Sequence, residues 1–98
     1  CPSFGEGFDF SGVEAMRCGG VVAASDIAVH HDIFADAAEY FTPYSAGQLA
    51  AALARLLAPE AAARRAELVA RGADVSARYL PERVLPQWQA FLQNLPGR

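Results

Sequence analysis

Glu6-Gly7-Phe8-Asp9-Phe10-Ser11-Gly12-Val13-Glu14 is the stretch on which the reading of this chain turns. Two carboxylates enclose seven residues that include two glycines and two phenylalanines. Before it, Cys1-Pro2-Ser3-Phe4 reads as the tail of a strand. After it, Val13-Glu14-Ala15-Met16-Arg17-Cys18 has a short helical pattern. A loop that leaves the carboxyl end of a parallel strand and enters a helix is where open α/β sheets bind ligands. The first-turn amides have no intrahelical partners and the helix dipole favours anions, so a phosphate can dock there. Carboxylates beside such an anion site suit neutral, hydroxyl-rich groups carried on the phosphate, such as a ribose and a sugar.

The residues that follow extend the pattern. Pro2-Ser3, Glu6-Gly7-Phe8, Glu14-Ala15-Met16, Cys18-Gly19 and Val22-Ala23-Ala24-Ser25 fall in register with P-S-x-x-E-G-F-G-L-P-x-x-E-A-M-A-C-G-x-P-V-x-A-S. This is the usual E-x7-E region of the large retaining group of GT-B glycosyltransferases (the family 4-like group, or glycosyl transferases group 1). The chain resembles that group and departs from its pattern at Asp9, Phe10, Ser11, Arg17 and Gly20. The likeness runs on through Asp36-Ala37-Ala38-Glu39-Tyr40-Phe41 and the helices beyond, and so covers nearly the whole chain.

The resemblance implies an α/β fold. Residues 1–98 would be the C-terminal portion of a donor-binding Rossmann-like domain, with about three parallel strands. Residues 1–44 would carry the strand, loop and helix of the donor site, and 45–98 a helical tail. A second, N-terminal Rossmann-like domain would precede them, and the 98 residues alone would be inactive. The implied activity is transfer of a hexose from a nucleotide diphosphate sugar to an acceptor hydroxyl with retention of configuration, as in bacterial polysaccharide or glycolipid synthesis. Glu6 would be the catalytic carboxylate near the donor-sugar hydroxyls. Gly7 and the Phe8-Asp9-Phe10 backbone would form the wall beside the sugar, with Asp9 stiffening the loop or adding a contact. Ser11, Gly12 and Val13 would lie at the helix start, the amides of Gly12 and Val13 facing the diphosphate, and Glu14 would bind the ribose. No cofactor or metal is required, and an Arg and a Lys from upstream would neutralise the phosphates. The parent would be cytoplasmic, with peripheral contact to the inner membrane face. The alternative is a non-catalytic sugar-nucleotide or protein-binding module of the same fold.

Charge is divided unevenly. Residues 1–49 hold seven acids and one arginine, a balance of −6, whereas residues 50–98 hold four acids and seven arginines, a balance of +3. There is no lysine. An acidic front half argues against nucleic acid, which requires a basic face. The second half suits an anionic surface, although Arg64, Arg65, Arg71 and Arg78 read better as a solvated helix face. The chain is 53% apolar and 19% charged, the balance of a globular rather than a disordered sequence. No apolar run reaches the ~18 residues of a membrane span.

Local signals place the remaining elements. Ser11 is a candidate cap for the first helix and Gly19-Gly20 a left-handed stop. Val21–Ser25 is a small apolar run of the kind covered on both faces in a parallel sheet. A short helix is expected over His30–Phe34 and a last strand over Glu39–Phe41. Ser45 and Gln48 form a capping-box pair, with Leu49, Leu53, Leu56 and Leu57 on one face. Pro59 opens a helix with the stripe Leu68, Gly72, Val75 and Tyr79. Pro81 opens another with Val84, Leu85, Trp88, Leu92 and Leu95, bent at Pro86. The sheet edge and the Trp88 face are expected to be open and to drive self-association.

Two residues carry competing readings. Ser11-x-x-Glu14 is also a capping box, so Glu14 is either a ribose ligand or a helix cap. His30-His31-Asp32 is rich in ligand types, but adjacent residues do not share a helix face and no third ligand is suitably spaced, so no metal is assigned. Cys1 and Cys18 fit no zinc spacing. Cys18 reads as a small buried apolar residue rather than a disulfide partner.

Overall fold

A computed structural model describes residues 1–96; Gly97 and Arg98, the end of the expected tail, lie outside the described residues. The chain is mixed α/β. In order it forms α1 (Phe10–Arg17), β1 (Val22–Ser25), α2 (Ala28–Phe34), β2 (Ala38–Phe41), α3 (Ala46–Leu57), a 3-10 turn (Pro59–Ala61), α4 (Ala62–Ala77) and α5 (Pro81–Gln93).

β1 and β2 pair in parallel, Val22 opposite Ala38 and Ser25 opposite Phe41. Among the described residues the sheet has two strands rather than the expected three or so. Cys1–Phe4 forms no strand, but Cys1 is hydrogen-bonded beside β1. Its amine donates to the Ala23 carbonyl (3.2 Å) and its carbonyl accepts from the Ser25 N–H (2.9 Å). Those two bonds make one parallel bridge opposite Ala24, after which Pro2 has no N–H with which to continue a ladder.

The end of α1 is built as its glycines suggest. Gly19 takes φ +81°, Gly19 N–H donates to Met16 O (3.1 Å) and Gly20 N–H to Ala15 O (2.7 Å). This is a Schellman stop, and it turns the chain sharply into β1. Its start differs from expectation. The cap is Asp9, whose carboxylate accepts from the Gly12 N–H at 3.0 Å, and Ser11 lies inside the helix. An aspartate one residue before the helical run outcompetes a serine one residue within it, because only the former has the non-helical backbone a cap needs.

The core joins Met16 of α1, Val22 and Ala24 of β1, Ile33 and Phe34 of α2, Ala37 and Ala38, and Val75 of α4. On α4, Leu68, Gly72 and Val75 are buried as the stripe predicts, with Ser76 beside them and Tyr79 partly buried. A Cβ on Gly72 would lie 3.1 Å from Met16 Cγ, so glycine lets α4 approach α1 closely. In α3, Ala52 and Leu56 are buried, whereas Leu53 and Leu57 are exposed. Half the capping box forms there. Ser45 Oγ accepts from the Gln48 N–H (3.1 Å), but the Gln48 side chain accepts from the Thr42 N–H instead.

Arginines tie the two halves together. Arg64 and Arg55 meet Glu39 at 3.0 and 3.4 Å, and Arg71 meets Asp36 at 3.5 Å. Arg65 donates to the Leu56 and Ala58 carbonyls at the end of α3. The expected solvated face is therefore partly an internal one, although each exposed pair stabilises by only about 0–1 kcal/mol. Cys18 is exposed and Cys1 half-buried, both free. The expectation that Cys18 is buried fails because the Schellman turn carries it outward at the helix end. α5 has no buried residue. No helix among the described residues is long and apolar enough to cross a membrane.

Candidate functional site

The loop from Phe4 to Phe8 leaves beside the carboxyl end of β1 and enters α1. Its two ends are held by one hydrogen-bonded chain. Ser25, the last residue of β1, donates its hydroxyl to the Ser3 carbonyl at 2.5 Å. His30 of α2 is fully buried. Its Nδ1 lies 2.9 Å from the Ser25 carbonyl and 3.2 Å from the Ser25 hydroxyl. Its Nε2 lies 3.1 Å from Asp9 Oδ2, and the other Asp9 oxygen caps α1. Ser3, before the loop, and Asp9, after it, are thus fastened to the same pair of residues.

Glu6 sits at the outer edge of this chain. Its side chain is 27% exposed, with Oε2 3.9 Å from His30 Nε2. Its other oxygen accepts from the Ser3 hydroxyl. The carboxylate therefore has one face toward the buried histidine and one toward solvent. Gly5 and Gly7 stand clear on either side, with no atom within 4 Å of where a Cβ would be.

Asp9 is buried, not a free carboxylate in the sugar wall. It combines a helix cap with a 3.1 Å contact to His30 Nε2. Gly12 is buried beneath α2. A Cβ there would lie 2.3 Å from Phe34 Cζ, and its N–H belongs to Asp9. The Gly12 amide is therefore unavailable to a diphosphate. The Val13 N–H points at the Asp9 carbonyl (3.4 Å). Phe10 and Ser11, at the first turn of α1, are exposed.

Glu14 lies on the outer side of α1 and is exposed. Among the described residues its carboxylate makes no hydrogen bond to the Ser11 N–H, so the capping box does not form. It borders an apolar groove of about 630 Å³ together with Phe8, Phe10, Tyr79, Val84 and Trp88. Phe8 packs edge-on against both Phe10 and Tyr79, with ring centroids 4.8 and 5.1 Å apart. Glu6 and Glu14 thus flank the α1 start from different sides, and Glu6 does not line this groove.

Adjacent histidines go to opposite tasks, as the helical period requires. His30 points into the core. His31 faces outward, paired to Asp26 (2.5 Å) and stacked on Tyr40 with centroids 4.1 Å apart. The Tyr40 hydroxyl donates to the Ala35 carbonyl at 2.6 Å. Burial, then the nearby carboxylates of Asp26 and Asp36, push its pKa up to about 12. The sequence reading correctly denies the His30-His31-Asp32 run a shared face but misses the pairing of His30 with Asp9, twenty-one residues away. The available signal was Asp9 itself, a charged residue at a position where the E-x7-E pattern that the sequence resembles has glycine. Glu6, Asp9 and His30 each offer one ligand atom, all within 4.8 Å of one another. They could hold a divalent cation, but the same atoms already satisfy one another through the contacts above.

No family model, curated protein or solved structure matches this chain.

Proposed function

We propose that residues 1–44 form the donor-sugar side of a nucleotide-sugar site, and that the chain is the carboxylate half of a retaining hexosyltransferase of GT-B type. The observation that carries this reading is the position of Glu6. It is a carboxylate held at the carboxyl end of a parallel strand, beside a helix start, and backed by a buried histidine. Held on one side and open on the other, it accepts hydrogen bonds from donor-sugar hydroxyls without first having to be ordered. Phe8 and Phe10 give the apolar flank, and Glu14, exposed beside them and not engaged as a cap, takes the ribose hydroxyls.

In this reading the diphosphate meets the first-turn amides of Phe10 and Ser11, two residues exposed at the start of α1. The buried Gly12 amide plays no part. Its remaining charge is neutralised by cations from a second, N-terminal Rossmann-like domain. Leaving-group stabilisation is electrostatic, and no metal is needed. The departing phosphate assists the incoming hydroxyl on the same face, which retains configuration. The 98 residues alone bind donor weakly and do not turn it over. The parent acts in the cytoplasm, with peripheral contact at the inner membrane face.

Calorimetry with UDP-glucose and GDP-mannose tests the reading. Affinity no better than millimolar is expected, because the phosphates lack cations here. Glu6→Gln should weaken it further. Glu14→Ala should do the same while changing stability by less than about 1 kcal/mol, since no cap is lost. Micromolar binding, or binding indifferent to both substitutions, would overturn it. A second reading, a non-catalytic module that docks a protein, draws on the exposed apolar side of α5 at Leu85, Trp88, Phe91 and Leu92.

A further inference from the structure

The two edges of β1 differ. Its even-numbered residues turn their backbone groups toward β2, a side continued by the Asp26 N–H, which donates to the Phe41 carbonyl at 2.7 Å. Its odd-numbered residues turn theirs toward Cys1. Ser25 gives its N–H to the Cys1 carbonyl, and the Ala23 carbonyl accepts from the Cys1 amine. The Ala23 N–H and the Val21 carbonyl point to that same side, one rung nearer the amino end. Among the described residues neither has a hydrogen-bond partner. They open into a slot of about 370 Å³. Gly12 and Ala15 of α1 line one wall, Leu49 and Leu53 of α3 the other, and Cys1 closes one end. No charged side chain lines it among the described residues.

We propose that this slot takes an extended, uncharged apolar segment of a partner chain as a third strand, parallel to β1. A small apolar molecule would cover the walls and leave the Ala23 N–H and the Val21 carbonyl unpaired, which is costly. A strand satisfies both with one residue, the one opposite Val22, whose N–H donates to Val21 and whose carbonyl accepts from Ala23. Direction is set by Cys1, which makes the same parallel bridge one step further on, opposite Ala24. Cys1 Sγ lies 3.3 Å from where a Cβ on Gly12 would be, so side chains on that face of the strand meet α1. The residue opposite Val22 shares this face, where Gly12 and Ala15 leave room for a β-branched side chain. Its neighbour, opposite Ala23, turns to Leu49 and Leu53. A second copy fits poorly, because its own β1 edge is occupied by its own Cys1. The slot is at the amino end of β1 and the Glu6 loop beyond the carboxyl end, so the two sites are independent.

The test is amide NMR of the 98-residue chain titrated with the peptide acetyl-Lys-Val-Val-Val-Val-amide, its lysine added for solubility. The Ala23 amide resonance should move downfield and gain protection from exchange, as an N–H does on acquiring an acceptor. The Gly5 and Gly7 amides and the Trp88 indole should hold their places. N-methylation of one valine at a time should alternate in effect. Affinity should fall about tenfold where the methyl replaces the N–H that faces β1, and change little at the next residue. Leu53→Arg alters a side chain that is 44% exposed, so the melting temperature should stay as it is. The charge it puts in the wall should weaken the peptide by about tenfold or more. An unmoved Ala23 resonance, shifts gathered on α5, equal loss from every N-methylation, or full affinity in Leu53→Arg would overturn the proposal. Ala23 protection that rises with chain concentration in the absence of peptide would assign the edge to a second copy and overturn it as well.

Discussion

The α1–β1–α2 region and α5 are both rich in apolar residues, yet they end in opposite states. In the first, Met16, Ala24 and Phe34 are at most 2% exposed. In α5, Leu85, Trp88 and Phe91 are each more than half exposed. The radius of gyration shows the same split, at 15.9 Å against about 13 Å for a compact chain of this length. Amphipathic periodicity alone does not bury a helix face. In the first region α1 is fixed at its ends by a cap and a Schellman turn and β1 by a parallel ladder, and both converge with α2 on one core. α5 has an apolar stripe too, but none of its residues is buried by a neighbour among the described residues.

The sharpest way to break this contrast is to attack the buried side. Phe34→Ala removes a fully buried ring that roofs Gly12 and packs beside His30. It should lower stability by about 4 kcal/mol. Gly12→Ala attacks the same contact from below and should lower it by about 3 kcal/mol through overpacking, since Phe34 has nowhere to move. Denaturant melts check both, and a loss below about 1 kcal/mol in either would mean the core is looser than described.

Much of this contrast could be read in advance from particular residues. The α4 stripe of Leu68, Gly72 and Val75 was legible because periodicity and burial agree there. The Gly19-Gly20 stop was legible because few residues other than glycine take φ +81° readily. The Asp9 cap is not legible in the sequence, because Ser11 is an equally good cap type and nothing local says that a histidine in α2 will bury Asp9. The third strand was misread because one bridge at Cys1 falls short of a ladder. Of the candidate site, the loop that enters α1 was legible from motif spacing; the role of Glu6 is a proposal. The Asp9–His30 contact was not legible, because long-range pairing of a carboxylate with a histidine leaves no periodic trace in one sequence.

A smaller test sharpens the account at the α2 end. Ala35 adopts φ 48°, a conformation unfavourable for any side chain with a Cβ, and it is fixed there by the Tyr40 hydroxyl. Ala35→Gly should relieve that strain and raise stability by about 1 kcal/mol. A destabilised variant would show that the backbone there is unstrained.

The smallest expected stability effect lies on the exposed side. Trp88→Ser should change stability by less than about 0.5 kcal/mol, because the side chain is 57% exposed. Its effect should be on association instead. Wild-type chain should sediment as a concentration-dependent mixture and the variant less so, since an apolar face of this kind is a ready contact. A clean monomer at all concentrations in the wild type would remove the case for α5 as a docking face.

The central claim is that a donor sugar nucleotide meets this chain at the Glu6 loop and the start of α1. Amide chemical-shift mapping during titration with UDP-glucose addresses it directly. The account predicts shifts concentrated on Gly5, Gly7, Phe8 and the first turn of α1, extending to Glu14, and diminished in Glu6→Gln. Shifts confined to α4 and α5, or none in the loop at saturating donor, would contradict it.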